Sequence, residues 1–99
     1  MLCMRREEGN AADDPIRQKT PGSSELFERA RAVLPGGVGS TARSVKAGWD
    51  PYPPFIARGE GSWIWDVDGN GYVDYLLGLG PMLLGHRHPA VTDAVVQDV

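Results

Sequence analysis

A stretch in which side chains alternate with a period of two constrains the fold of this chain more than any other feature. In SWIWDV the side chains alternate between two faces, as on a β-strand, with Trp63, Trp65 and Val67 on one face and Ser62, Ile64 and Asp66 on the other. Gly61 separates this strand from an earlier one predicted at residues 55–58. The turn dipeptides DG and NG at residues 68–71 precede a third strand predicted at residues 72–76. The sequence therefore predicts a small three-stranded antiparallel meander.

The same stretch contains DVDGNG, which matches the first half of an EF-hand calcium loop. Asp66, Asp68 and Asn70 fall where such a loop places its first oxygen ligands. The twelfth position, which needs a bidentate carboxylate, is Leu77, and the residues before Asp66 have the pattern of a strand rather than a helix. We therefore interpret the stretch as a hairpin turn, in which Asp and Asn bond their own backbone.

An amphipathic helix is predicted for SSELFERARAVL, residues 23–34. Ser23 or Ser24 can cap its N-terminus, and Glu25 lies in its first turn, where the helix dipole favours an anion. The PGG sequence that follows ends it. Its apolar residues recur at helical spacing on one face, with one more at the edge: Leu26, Ala30, Val33 and Leu34, and Phe27.

The two ends of the chain differ in character. Residues 1–22 are charged and polar, with little that can form a core, so we expect a disordered leader. Pro89 begins a second helix, in which Val91, Ala94 and Val95 recur with helical spacing. The sequence stops within this helix without a C-cap glycine, so we expect it to be part of a longer protein. Helix, loop, meander and second helix together predict an α+β fold.

The composition suits one small domain or a piece of a larger one, with 99 residues, 41% of them hydrophobic and 23% charged. The formal net charge is -3 and the basic residues are scattered, which argues against nucleic acid or an anionic membrane as a partner. Cys3 is the single cysteine, so we expect neither a disulfide nor a zinc site, and a reducing, cytoplasmic setting. The sequence contains no targeting signal and no apolar run of membrane-spanning length.

The long irregular segment GVGSTARSVKAGWDPYPP contains the best candidate for a binding site, because long loops inside compact domains are usually functional. Arg43 offers a planar guanidinium fork that suits a carboxylate, and Ser40 stands three residues before it as a hydroxyl donor. Together they are candidate substrate-binding residues. The alternative, an arginine exposed on a flexible surface loop, is the simpler interpretation from the residues alone.

Two histidines in GHRHP invite a metal-site interpretation. His86 and His88 would lie on one face of a strand, but a third ligand is missing nearby. Gly85 and Pro89 explain the segment as a turn that leads into a helix, so we predict a structural role and no metal. The meander's tryptophans are most simply core or interface residues.

The order of several motifs resembles a known family. The run SSELFERARAVLPGGV is followed by GSTARSV and then by PPFIARGEGSWIWDVDGNGYVDYLLGLGPMLLGHRHPAV. This succession is similar to the N-terminal portion of the class III pyridoxal-phosphate enzymes, the fold-type I aminotransferases. In particular it resembles the glutamate-1-semialdehyde 2,1-aminomutase group and its relatives, which share the order PGGV, S-x-x-R, D-x-DG-x-x-Y-x-D, GP and GH-x-HP. The resemblance covers residues 23–99.

The resemblance implies that residues 23–99 are the N-terminal segment of an aminotransferase domain whose cofactor domain lies outside this sequence. It implies a homodimeric enzyme that binds pyridoxal 5'-phosphate (PLP) and acts on an amino or keto acid. Arg43 matches the arginine that receives the substrate carboxylate, and Ser40 matches the nearby serine. The resemblance places no catalytic residue within this chain, and it leaves the residues that hold PLP outside it.

Two positions depart from the aminomutase pattern. Leu79 stands where those relatives have an aromatic residue before GP, and Gly39-Ser40-Thr41 replaces the N-S-P of GGVNSP. Transaminases of β-amino acids share the arginine, and the IARGEG run suits them too. Two activities therefore stay open: an aminomutase returns the amino group to the adjacent carbon, and a transaminase passes it to a second substrate.

The chemistry of the family needs a lysine for the internal Schiff base, an aspartate at the pyridine nitrogen and donors for the phosphate. The lysines of this chain are Lys19, in the expected leader, and Lys46, shortly after Arg43. Neither precedes a plausible cofactor pocket, so we expect the 99-residue chain alone to be inactive. The alternative function is a non-catalytic interaction module that buries its tryptophans and the apolar GPMLLG loop against a partner protein.

Overall fold

The computed structural model describes residues 19–99, which fall into two units: one ends at Phe55 and the other is Ile56–Val99. A disordered leader was expected at residues 1–22, and its residues 1–18 lie outside the described residues. Residues 21 and 22, the last two of that expected leader, belong to a helix.

Helix α1, Pro21–Val33, begins earlier than the sequence pattern predicts. Thr20 is its N-cap residue, and a proline occupies its first position, where the missing N–H has no intrahelical partner to lose. The predicted caps Ser23 and Ser24 therefore lie inside the helix, and Glu25 lies beyond the first turn. The apolar pattern does not show this start, because the N-cap Thr20 is held by a hydrogen bond with Tyr52, 32 positions away in the sequence.

The C-terminal end of α1 agrees with the prediction, but its buried face does not. Leu34 leaves the helix in an extended conformation, and Pro35–Gly37 forms a separate 3₁₀ turn. Phe27, predicted at the edge of the apolar face, is buried, whereas Val33 is 78% exposed. The face that packs is the one that contains Ser23 and Phe27, because the returning chain covers these positions.

The returning chain covers α1 chiefly through Tyr52, which is buried. The ring centroids of Phe27 and Tyr52 lie 6.0 Å apart. The Tyr52 hydroxyl lies 2.9 Å from Thr20 Oγ1, and Phe55 N donates a hydrogen bond to Ser23 Oγ at 3.1 Å. Each of these two hydrogen bonds joins residues 32 positions apart in the sequence, which no local pattern predicts.

The second unit contains the predicted antiparallel meander. Its strands are, in chain order and in their order across the sheet, β1 (Ile56–Glu60), β2 (Trp63–Asp66) and β3 (Gly71–Val73). Trp63 of β2 lies opposite Glu60 on one side and opposite Val73 on the other. A register shift interrupts the pairing of β1 between Ile56 and Arg58, as in a β-bulge. The prediction of three strands joined as a meander is confirmed.

Strand β3 is shorter than the strand predicted at residues 72–76. Asp74 Oδ1 accepts hydrogen bonds from the backbone N–H groups of Leu76 at 2.9 Å and Leu77 at 3.0 Å. These bonds turn the chain out of the sheet. Leu77–Leu79 then forms a 3₁₀ turn. The side chain of one aspartate thus overrides the strand composition of the residues around it.

Helix α2, Pro89–Asp98, begins at the predicted proline. The carbonyl of His88 accepts hydrogen bonds from the backbone N–H groups of Val91 and Thr92. Its predicted apolar positions are exposed, since Val91 is 51% and Val95 57% accessible. Among the residues that the structure describes, two α-helices and one antiparallel sheet give the predicted α+β class. Within residues 19–99, neither helix is of a length and apolarity that would let it cross a membrane.

Candidate functional site

The loop that follows α1 is a succession of short turns on a defined backbone. After Pro35–Gly37, Thr41–Arg43 and Val45–Ala47 each form one 3₁₀ turn. Gly36 and Gly48 have φ angles of 69° and 104°, in the region that glycine adopts readily and other residues avoid. These glycines let the chain change direction sharply within the first turn and directly after the last one.

The structure brings the two predicted substrate-binding residues onto one of these turns. Ser40 is the N-cap residue of Thr41–Arg43, and its Oγ accepts a hydrogen bond from Ala42 N at 3.4 Å. The backbone N of Arg43 donates to Ser40 O at 3.0 Å. The guanidinium folds back beside Gly39, where an added Cβ would lie 3.7 Å from Arg43 Nη2. The cationic fork thus lies next to the backbone that carries the Ser40 hydroxyl.

An open cleft of about 840 Å³ lies beside this turn. Its wall is mostly apolar and includes Ser40, Thr41 and Lys46. Arg43 is not among the lining residues, but it is exposed, and no other residue of the described range 19–99 forms a salt bridge with it. An exposed guanidinium with no salt bridge retains its full capacity to bind a carboxylate through two parallel hydrogen bonds.

Trp49 contacts the same turn, and sequence reasoning missed it. Its indole Nε1 donates a hydrogen bond to Ala42 O at 3.2 Å, across seven positions of the loop. No periodic pattern marks this contact, because both residues lie outside regular helices and strands. The available signal was Gly48, since a glycine inside a loop indicates a change of chain direction.

Asp66, the first residue of the calcium-like motif, closes the hairpin between β2 and β3. Its Oδ1 accepts hydrogen bonds from the backbone N–H groups of Asp68 at 3.0 Å and Asn70 at 2.8 Å. Its Oδ2 accepts from Asn70 Nδ2 at 2.9 Å and from the Tyr72 hydroxyl at 2.8 Å. The residue is 3% exposed. The turn itself therefore accounts for this aspartate, as the hairpin interpretation predicts.

The electrostatics of the turn follow from these bonds. Burial acts to raise the pKa of Asp66, but hydrogen bonds from Asn70, Tyr72 and Asp68 outweigh it and hold the pKa below its usual value of 3.8. Burial, the hydrogen bond to Asp66 and nearby negative charge raise the pKa of Tyr72 from 10.0 to about 12. At neutral pH a protonated phenol therefore donates to an ionised carboxylate, which is a strong type of hydrogen bond.

His86 connects the segment before α2 to the sheet. Its ring Nε2 lies 2.7 Å from Asp74 Oδ2, and its backbone exchanges two hydrogen bonds with Gly61, at 2.8 and 2.9 Å. The ring packs on Gly59, where an added Cβ would lie 2.7 Å from His86 Cγ. The hydrogen bond with His86, followed by that from one backbone amide, holds the pKa of Asp74 below 3.8. His88, two residues after His86, has a buried Nδ1 with no hydrogen-bond partner among the described residues.

These histidine contacts are those of a structural element. Within residues 19–99, no three or more His, Cys, Asp or Glu side chains are grouped so that they can hold a metal ion. Elsewhere among the described residues, the exposed guanidinium of Arg43 has the chemistry to bind an anion.

Comparison with known proteins identifies the family. The family model described as Aminotransferase class-III matches residues 44–99. A glutamate-1-semialdehyde 2,1-aminomutase from Desulforamulus reducens is 55% identical over 74 residues, which are 74% of this chain and 17% of that relative.

Solved structures match the fold as well as the sequence. A β-phenylalanine aminotransferase from Variovorax paradoxus is 32% identical, with a TM-score of 0.74 over 83% of this chain and 18% of the aminotransferase. A transaminase solved with PLP bound is 35% identical, with a TM-score of 0.71 over 79% of this chain and 18% of the transaminase.

The chain thus spans 17% to 18% of the length of these relatives. Its two helices and antiparallel sheet correspond to one part of their fold, and the family match covers more than half of the 99 residues. The chain belongs to the class III aminotransferase family.

Proposed function

We propose that this chain serves as part of a PLP-dependent enzyme that moves an amino group on a carboxylate-bearing substrate. Membership of the class III aminotransferase family supports the reaction class. The 55% identity to a glutamate-1-semialdehyde 2,1-aminomutase supports an aminomutase. The match to a β-phenylalanine aminotransferase supports a transaminase of β-amino acids instead. The two differ in whether a second substrate must accept the amino group.

Within this proposal, Arg43 and Ser40 bind the carboxylate of an amino or keto acid. The observation that supports this role is the position of the exposed guanidinium, which folds back beside Gly39 on the turn that Ser40 caps. A carboxylate docked there receives two hydrogen bonds from the guanidinium and one from the Ser40 hydroxyl. Such a contact orients the rest of the substrate relative to the reacting centre.

The residues of this chain do not fit the task of holding PLP. A Schiff-base lysine is activated in a pocket that shields it from water, and both lysines of the chain, Lys19 and Lys46, are exposed. Lys46 lines the wall of the open cleft beside the Arg43 turn, in contact with solvent. We infer that the contacts to the cofactor come from parts of the enzyme outside this chain, which contributes to substrate binding.

A substitution at Arg43 in the complete enzyme tests the proposal. Arg43→Ala should raise KM for carboxylate substrates by roughly 30-fold or more, since about 2 to 5 kcal/mol is lost when one partner of a charge pair is truncated. Arg43→Lys keeps the charge without the planar fork and should recover part of that loss. The control is Arg29→Ala, which removes an exposed arginine from α1. Equal KM values for Arg43→Ala and the parent enzyme would remove Arg43 from the substrate site.

A second candidate function has one observation in its favour. Several large apolar side chains of the second unit are exposed, among them Tyr75 at 92% and Leu83 at 86%. Exposed apolar surface of this kind marks a contact with other protein. It suits a non-catalytic interaction module as well as one part of a larger enzyme.

A further inference from the structure

The hydrogen bond from Trp49 acts on the residue next to Arg43. Trp49 Nε1 donates to the carbonyl of Ala42, which belongs to the same 3₁₀ turn as Arg43 and directly precedes it. Trp49 is itself 38% exposed. A peptide carbonyl fixed in this way also fixes the plane of the peptide that leads into Arg43.

The backbone after Arg43 is shaped to bring the indole back. Val45–Ala47 forms a 3₁₀ turn, closed by a hydrogen bond from Gly48 N to Val45 O at 3.0 Å. Gly48 then adopts a φ of 104°, which reverses the chain direction at low cost only because it is glycine. Trp49 follows directly and returns to the Ala42 carbonyl.

A second carbonyl of the turn is also held by a side chain. Ser44 Oγ donates to Thr41 O at 2.7 Å, while Trp49 Nε1 holds the next carbonyl along, that of Ala42. A single 3₁₀ turn has few hydrogen bonds of its own and poorer bond geometry than an α-helix. The conformation of Thr41–Arg43 therefore depends on these two side chains from outside it.

We propose that Trp49 is a positioning residue for Arg43. It fixes the Ala42 peptide and thereby the direction in which the Arg43 side chain leaves the backbone. This inference rests on the proposed function, in which Arg43 binds the substrate carboxylate. Because Trp49 acts on binding and touches no reacting atom, its loss should affect KM more than kcat.

The test is Trp49→Phe in the complete enzyme, since phenylalanine keeps an aromatic ring and removes the N–H donor. We expect KM for carboxylate substrates to rise roughly three- to tenfold, the usual worth of one hydrogen bond, with kcat changed by less than about twofold. Trp63→Phe is the matched control, because Trp63 lies on β2 and stacks on Trp65 instead of donating to this turn.

A second measurement reads the turn without activity or cofactor. Hydrogen exchange of the peptide that covers the turn reports on two bonds, from Arg43 N to Ser40 O and from Ser44 N to Thr41 O. Trp49→Phe should speed exchange of these two amides roughly three- to tenfold, whereas Trp63→Phe should leave them unchanged. A residue that only stabilises the fold would change exchange throughout the unit.

The KM of Arg43→Ala distinguishes a failure of the positioning role of Trp49 from a failure of the proposed function. A raised KM for both Arg43→Ala and Trp49→Phe, with faster exchange only at the turn, supports the positioning role. A raised KM for Arg43→Ala alone overturns the positioning role and leaves the proposed function standing. An unchanged KM for Arg43→Ala overturns the proposed function, and the positioning role with it.

Discussion

The carboxylate of Asp66 accepts four hydrogen bonds within the turn between β2 and β3, so its replacement should weaken the hairpin. In Asp66→Asn, one carboxylate oxygen becomes an amide N–H₂ group that faces donors, and at least one donor loses its acceptor. We expect the free energy of unfolding at neutral pH to fall by about 1 to 3 kcal/mol. Urea unfolding of the parent and the variant measures this difference.

The pH dependence of this loss follows from the lowered pKa of Asp66. A carboxyl group whose pKa is lower in the folded state stabilises the fold above its unfolded pKa, and the stabilisation disappears as the pH falls through the folded pKa. The difference between parent and Asp66→Asn should therefore shrink as the pH is taken below 3.8. Asp98→Asn, an exposed change on α2, should shift stability by less than about 0.5 kcal/mol. A loss that does not vary with pH would contradict an ionised Asp66.

Two adjacent serines of α1 should contribute differently to the free energy of unfolding. Ser23 is fully buried, and its Oγ accepts the hydrogen bond from Phe55 N, whereas Ser24 is only partly covered. Ser23→Ala leaves a backbone N–H without this acceptor and should lower the free energy of unfolding by about 1 to 3 kcal/mol. Ser24→Ala should change it by less than about 0.5 kcal/mol. Equal losses in urea unfolding would argue that both serines act through the helix terminus.

The elements that the sequence predicted are those determined by neighbouring residues. The meander follows from alternation over a few positions and from turn glycines, and α2 follows from the proline at its first position. The start of α1 was missed because Thr20, its N-cap, is held by Tyr52 from 32 positions away. The end of β3 was missed because the side chain of Asp74 captures two backbone amides.

The candidate site, like the fold, could be predicted only in part from the sequence. Residue type made Arg43 and Ser40 candidates, because a guanidinium and a hydroxyl in a glycine-rich loop suit a carboxylate, and the family resemblance supplied the substrate-binding role. Their shared 3₁₀ turn and the contact from Trp49 depend on the reversal of the chain at Gly48. Gly48 indicates the reversal in the sequence, but the contact that the reversal creates depends on the path of the whole loop.

The second unit, considered as a whole, leaves much of its apolar surface uncovered. Leu79 is 77% and Val96 70% exposed, in addition to Tyr75 and Leu83. The second unit also contains an open cleft of about 650 Å³, and its lining residues include Met82 and Val95. A free-standing small domain places polar side chains at such positions to stay soluble. The exposure therefore agrees with a role in which further protein covers this unit.

The 99-residue chain by itself should self-associate, because uncovered apolar surface drives aggregation at micromolar to millimolar concentration. Sedimentation velocity over a dilution series measures the onset. Leu83→Ser removes an 86% exposed leucine of the second unit and should move the onset to higher concentration. Val33→Ser removes a 78% exposed valine of α1 and should move it less, because valine is smaller than leucine and Val33 belongs to the first unit. A parent chain that sediments as a cooperatively folded monomer throughout would contradict this expectation and favour the interaction module over part of an enzyme.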